Sequence, residues 1–307
     1  MNDYSIYSLS QLSSYPIPHN NLTFILSFTD EDRSTCAIEH LISKNIQIEN
    51  LIVINYFGKT IPTQWGKNIP NIKVVSSMEN AINFIQEMKT ILTNCQNSNI
   101  LLDITCLNNP DMFILIKLLK KSIIKSLGII YSSPVDYYFE NEPFTSFHSY
   151  NGDLTMYEIL GYSGEETTDL YASIELYLFM GFESAMSLKV IENCNYNKLF
   201  LVNNLPAFYP KYKDISILNN YMIMDYQHTA LYVPANNPFE VYNTLMNSVS
   251  KNKPISIAPL SNKPTSLGIC LYALDNPNVK IVYPMSKSFK SLKSFGKFDT
   301  FCYSIDF

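Results

Sequence analysis

Short apolar runs alternate along the chain with stretches whose apolar residues recur at helical spacing. In the first half, residues 22–28 (LTFILSF) read as a strand. Thr29 to Ser34 are polar, and then Cys36, Ala37, Ile38, Leu41 and Ile42 fall on one helical face. Thr29 or Asp30 suits the helix N-cap, with Glu31 and Asp32 favourable in its first turn. A second strand follows at 50–56 (NLIVINY). After a longer, variable segment, residues 99–121 read as strand, polar turn and apolar helix. Residues 127–138 read as a last strand ending in Tyr and a proline turn.

The second half repeats this order. Residues 174–180 form an apolar run, Gly181 to Ser184 a turn, and Ala185, Leu188, Val190 and Ile191 a helix face. A strand follows at 198–204, then the strand, turn and helix of 254–274. The half closes with the strand and proline turn of 279–289. Alternating strands and helices, with several continuous apolar strands, predict an α/β architecture of mostly parallel sheets buried on both faces. The expectation is two tandem units, Rossmann-like or flavodoxin-like, related by internal duplication and spanning 1–150 and 151–307. The polar stretch 139–169 reads as the linker, and its LGYSGEE segment could also fold over a site.

Composition narrows the classes. Of 307 residues, 47% are hydrophobic and 16% charged, which supports a large core and argues against disorder. The net charge of −5, with no basic tail, argues against a nucleic-acid polymer as partner. The N-terminus lacks a basic start followed by an apolar run, so no secretory signal is expected. No apolar segment is long and uninterrupted enough to suggest a membrane span. Cys36, Cys95, Cys106, Cys194, Cys270 and Cys302 are scattered, which points to free thiols rather than a zinc site or a disulfide framework. The expected compartment is the cytoplasm.

In open parallel sheets, ligands bind beyond the carboxyl ends of the strands, near the point where strand order reverses. After the first strand of each half this selects Asp30, Glu31, Arg33 and Ser34, and Gly181, Glu183 and Ser184. After the third it selects Asp103, Thr105, Asn108 and Asn109, and Ser261, Asn262, Lys263 and Thr265. Tyr131, Ser133 and Tyr283 end neighbouring strands. Helix N-termini at such turns suit a phosphate.

Each candidate also has a plainer role. The acids at 30–32 and 183 can simply start helices. Arg33 can pair with Asp30 or Glu31 on a solvated face. Asp103 can cap the next helix, and Asn108 with Pro110 fits an N-cap followed by a first-turn proline. Thr105 and Cys106 have no histidine nearby in the sequence, which argues against a nucleophile there. Lys263, in a Ser-Asn-Lys-Pro-Thr turn, is either a surface lysine or the cation of an anion site with two hydroxyls and a helix N-terminus.

The common catalytic and cofactor motifs are missing. There is no Gly-x-Gly-x-x-Gly after a strand, no Walker loop, no His-Glu-x-x-His and no Gly-x-Ser-x-Gly elbow. His19, His40, His148 and His228 are isolated. Neither a cofactor nor a metal is expected.

The stretch SIAPLSNKPTSLGICLYAL resembles the strand, turn and helix of CRISPR-associated Rossmann-fold sensor domains of the CARF and SAVED kind. In that family a turn containing Thr-Lys precedes a helix and faces a cyclic oligonucleotide. The resemblance covers about 20 residues of this chain and carries over to Asn262, Lys263, Pro264 and Thr265. The chain departs from the family in having Ser261-Asn262 before the lysine, and in lacking a lysine at the matching turn of the first half. The resemblance implies a pseudo-dimeric nucleotide sensor in a bacterial antiviral defence system.

Three functions follow as expectations. The first is a binding module that senses a nucleotide, a cyclic oligonucleotide or another phosphorylated ligand, without catalysis. The second is a nucleotide-directed hydrolase or glycosidase, with Asp103 or Glu183 as base or nucleophile and Lys263 stabilising negative charge. The third is a scaffold whose tyrosine-rich surface binds a partner protein encoded nearby.

Overall fold

The structure, a computed structural model, describes residues 6–8, 21–76, 81–138, 150–151, 153–164, 174–250, 253–286, 288–289 and 293–307. The chain divides into two units. One is Met1–Tyr138 with Ser291–Phe307, the other Phe139–Lys290.

The first unit contains β1 (Ile6–Ser8), β2 (Leu22–Ser27), α1 (Cys36–Ser43), β3 (Asn50–Ile54), α2 (Trp65–Asn68) and β4 (Asn71–Val75). It continues with α3 (Ala81–Thr93), β5 (Asn99–Asp103), α4 (Asn109–Lys121), β6 (Ser126–Ser132) and β7 (Asp136–Tyr137). The second unit begins with β8 (Tyr150–Asn151), β9 (Thr155–Ser163), β10 (Glu175–Phe179), α5 (Ser184–Asn193), β11 (Lys198–Asn204) and α6 (Pro210–Asn219). It ends with β12 (Thr229–Val233), α7 (Pro238–Ser248), β13 (Ile255–Pro259), α8 (Lys263–Asp275), β14 (Val279–Met285) and β15 (Ser288–Phe289). The chain then returns to the first unit with β16 (Ser294–Phe295) and β17 (Thr300–Ile305).

The first unit's sheet has the order β1-β17-β6-β5-β2-β3-β4 and the second's β12-β11-β10-β13-β14-β9. Counting the parallel strands of each unit in chain order, both read 3-2-1-4-5. That is the Rossmann order, of the two topologies the sequence left open. In both, an antiparallel strand lies beside the fifth: β17 on β6, and β9 on β14.

Those two antiparallel strands revise the expected boundaries. Residues 300–305 belong to the first unit's sheet, not to the second half in which the sequence places them. Residues 155–163, expected in the linker, are a nine-residue strand, and Leu160 to Ser163 of LGYSGEE lie in it. Glu165 and Glu166 of that segment, and residues 139–149, lie outside the described residues. The longer variable segments hold β4 with α3, and β12 with α7.

The central strands are buried along their length, as their continuous apolar sequence requires. In the first unit, Phe24, Leu26, Leu51 and Val53 pack against Ile38 and Leu41 of α1 and against Trp65. In the second, Leu176, Leu178, Leu199 and Leu201 meet Val190 and Ile191 of α5. Helix α8 is buried from Pro264 to Ala273 on every face, matching its lack of a polar side. Gly268 lets it press on α7, since a Cβ there would stand 2.3 Å from the Pro238 carbonyl oxygen.

Candidate functional site

Both units bring their predicted turns to the carboxyl end of the sheet, at the junction of the first and fourth parallel strands, β2 with β5 and β10 with β13. The two ends differ in chemistry.

In the first unit the turn after β2 folds on itself. The Glu31 amide donates to Thr29 Oγ1 at 3.2 Å, and Ser34 Oγ donates to the Thr29 carbonyl at 3.1 Å. Arg33 turns inward. Its Nη2 and Nε donate to Glu31 Oε2 at 2.8 and 2.9 Å, its Nη1 to the Ser132 carbonyl at 2.9 Å, and Nε also to Ser294 Oγ at 2.9 Å. Ser294 Oγ donates in turn to Glu31 Oε2. Of the two roles the sequence left open for Arg33, a solvated ion pair or a ligand-site cation, neither fits: the pair with Glu31 is buried, and β16 covers it. Burial alone would lower the Arg33 pKa, but the Glu31 charge, then Tyr131 and Cys106, hold the guanidinium well above its ordinary value. Asp30 is separate and pairs with Lys59 nearer the surface.

Asp103 ends β5. Its Oδ1 accepts from the Thr105 amide at 2.9 Å, closing a turn, while Oδ2 is buried with no hydrogen-bond partner. It does not cap α4, whose N-cap residue is Asn108. Desolvation pushes the Asp103 carboxyl up to about 6, against the pull of the Thr105 hydrogen bonds and of Arg33. Thr105 Oγ1 accepts from the Ser132 amide at 2.9 Å. The Asn108 amide donates to Tyr56 Oη at 3.1 Å, and Tyr56 Oη donates to Asp111. Burial pushes the Cys106 thiol up to about 12, which removes any thiolate nucleophile at neutral pH.

In the second unit the turns after β10 and β13 touch main chain to main chain. A Cβ on Gly181 would stand 2.1 Å from the Leu260 carbonyl oxygen, so only glycine fits. The Gly181 carbonyl accepts from Ser216 Oγ and Asn220 Nδ2 at 3.1 and 2.9 Å, and the Phe182 carbonyl from Asn219 Nδ2 at 2.9 Å. Glu183 precedes α5, with Ser184 as its first residue. Tyr283 stands near enough that burial, and then the Glu183 charge, raise its hydroxyl well above the ordinary phenol value.

The residue that organises this end is Asn204, the last of β11. Its Oδ1 accepts from Ser261 Oγ at 2.6 Å and Asn262 Nδ2 at 2.9 Å, and its Nδ2 donates to Thr265 Oγ1 at 3.0 Å. Asn262 Oδ1 caps α8 by accepting the Thr265 amide at 3.0 Å. Ser261, Asn262 and Thr265 are therefore brought together as predicted, but by a residue the sequence reading did not select. The available signal was an Asn pair ending an apolar strand. Thr265 is fully buried, so its hydroxyl serves the turn. Lys263, the first residue of α8, is only partly buried.

Among the described residues, no group of three or more His, Cys, Asp or Glu is placed to hold a metal ion. All six cysteines are free thiols. No described helix is long and apolar enough to cross a membrane. No protein-family model and no curated protein matches the chain. Among solved structures, the crystal structure of a universal stress protein from Archaeoglobus fulgidus DSM 4304 is similar at 8% identity. It spans 86% of this chain and 96% of that one at a TM-score of 0.22, too low to carry an argument.

Proposed function

We propose that the protein is a binding module without catalytic activity. Its second unit takes a nucleotide or another phosphorylated small molecule at the carboxyl end of its sheet. The observation that carries this reading is the polar turn at the start of α8, where Asn204 gathers Ser261, Asn262 and Thr265. Lys263 opens α8 on this partly exposed turn, beside polar side chains fixed by Asn204. A lysine at a helix start favours a phosphate through its charge and the helix dipole.

The shared 3-2-1-4-5 order supports an origin by internal duplication. The resemblance of the Lys263 turn to CRISPR-associated sensor domains favours a cyclic oligonucleotide as ligand and a cytoplasmic role in antiviral defence, with a partner protein encoded nearby. The hydrolase reading gains nothing from Asp103, whose carboxyl is shut away from solvent.

The test is thermal shift and calorimetry with inorganic phosphate, mononucleotides and cyclic oligonucleotides. A ligand should raise Tm in a concentration-dependent way and be recovered intact by mass spectrometry. Lys263→Ala should abolish the shift. A shift that survives Lys263→Ala rejects the site, and turnover of the ligand rejects the non-catalytic assignment.

A further inference from the structure

We infer that β12 is a self-complementary edge through which two copies of this chain pair. β12 ends its sheet, and among the described residues no strand lies on its outer side. Its sequence, Thr-Ala-Leu-Tyr-Val, contains neither a charge nor a proline. Edge strands normally carry such a guard against pairing. The corresponding edge of the first unit has one, Lys73, exposed in the middle of β4.

Main-chain direction and side-chain pattern both point to a second copy as the occupant. The Leu205 amide donates to the Val233 carbonyl at 2.8 Å, so Val233 turns its main-chain polar groups toward β11. Alternation along the strand turns those of Leu231 and Thr229 the same way, and those of Ala230 and Tyr232 outward. A two-fold axis through Leu231 sets Ala230 of one copy opposite Tyr232 of the other, twice. In an antiparallel ladder, both are pairs that exchange their two main-chain hydrogen bonds.

The side chains fit the same register. Ala230 aligns with Leu201 and Tyr232 with Asn203, so both project on the sheet face that carries α5 and α6. Ala230 is exposed and Tyr232 is 52% exposed. Pairing lays each tyrosine ring over the other copy's alanine methyl, large on small, at both ends of the strand. Tyr221, Met222 and Tyr226, exposed in the segment that leads into β12, extend the apolar margin. A strand that is small-large complementary about its own centre fits itself, and no like charges meet across the axis. A five-residue pairing with a few aromatic rings covers less than the roughly 1,200 Å² of a standard interface, so association is weak and depends on concentration. The inference does not rest on the ligand site.

Sedimentation of the full chain across a wide concentration range tests it. The wild type should shift from monomer toward dimer as concentration rises. Tyr232→Lys and Ala230→Lys should remain monomeric with unchanged circular dichroism. Leu231→Cys, on the axis at a non-hydrogen-bonded pair, should cross-link to a dimer under mild oxidant, whereas Lys73→Cys on β4 should not. Three results would overturn the inference: a wild type monomeric throughout, lysine variants that dimerise as the wild type does, or Leu231→Cys cross-linking no faster than Lys73→Cys.

Discussion

Arg33 places two of its guanidinium nitrogens on a single carboxylate oxygen of Glu31, two residues before it, and the two side chains are only 6% and 5% exposed. Each charge is tolerable there only because of the other. Glu31→Gln should therefore cost about 3–5 kcal/mol by leaving a buried guanidinium uncompensated. Replacing both together, Glu31→Leu with Arg33→Met, should cost much less than the sum of the single changes. Urea unfolding of the two singles and the double provides the cycle; additive losses would show that the pair is not coupled.

Asp103 makes the first unit sensitive to pH. Its carboxyl is raised from 3.8 to about 6 by burial, so folding disfavours its ionised form. The stability associated with the protonated form is complete below about pH 4 and is lost as pH rises through about 6. Asp103→Asn keeps an oxygen for the Thr105 amide and removes the buried charge. At pH 7.5 it should stabilise the protein by up to about 3 kcal/mol, and at pH 4 it should be nearly neutral. Unfolding curves at the two pH values check this, and equal effects at both would contradict it.

Glycine positions offer a packing test. Gly268→Ala drives a methyl group to 2.3 Å from the Pro238 oxygen and 2.6 Å from Val241 Cβ, and Gly181→Ala drives one to 2.1 Å from the Leu260 oxygen. Each should cost at least about 1–3 kcal/mol, because rigid main chain must move. Gly66→Ala in α2 meets nothing within 4 Å and should be neutral or stabilising by about 0.5–1 kcal/mol. Thermal melts of the three variants rank them directly.

Asn204 and Lys263 should separate architecture from recognition. Asn204→Ala strands Ser261, Asn262 and Thr265 and should lower stability by about 1–3 kcal/mol as well as weaken phosphate-ligand binding. Lys263→Ala should abolish the ligand-induced shift while leaving the unfolding free energy of the free protein within about 0.5 kcal/mol of wild type. Paired calorimetry and melting would distinguish the two; a large loss of stability in Lys263→Ala would assign it a structural role.

The C-terminal segment holds the first unit together. β17 pairs with β6 and β1, the Ser133 amide donates to the Asp299 carbonyl at 2.7 Å, and Ser294 closes the Arg33 cluster. Residues 1–138 produced alone should fail to fold cooperatively, and adding residues 291–307 as a separate peptide should restore part of the near-ultraviolet circular dichroism. Cooperative melting of 1–138 by itself would refute this.

The sequence alone determined the parallel core and the position of the candidate site. Runs such as LTFILS and ISIAP can be satisfied only by strands buried on both faces, and the polar turns that follow them must then lie at one end of a sheet. Asn108 was legible as the residue before α4 because an Asn followed closely by a proline is a local helix-start signal. Tertiary structure decided what depends on pairing across long sequence distances. Nothing near β17 in sequence indicates that it belongs beside β6, some 170 residues earlier. Ser294 covers Arg33 from an even greater separation, so the pair that could have been a surface one is buried. Asn204 meets Ser261 only because β10, which separates β11 from β13, brings their ends together. Local pattern specifies which residues form strands and caps, whereas long-range closure specifies which polar groups are left facing solvent.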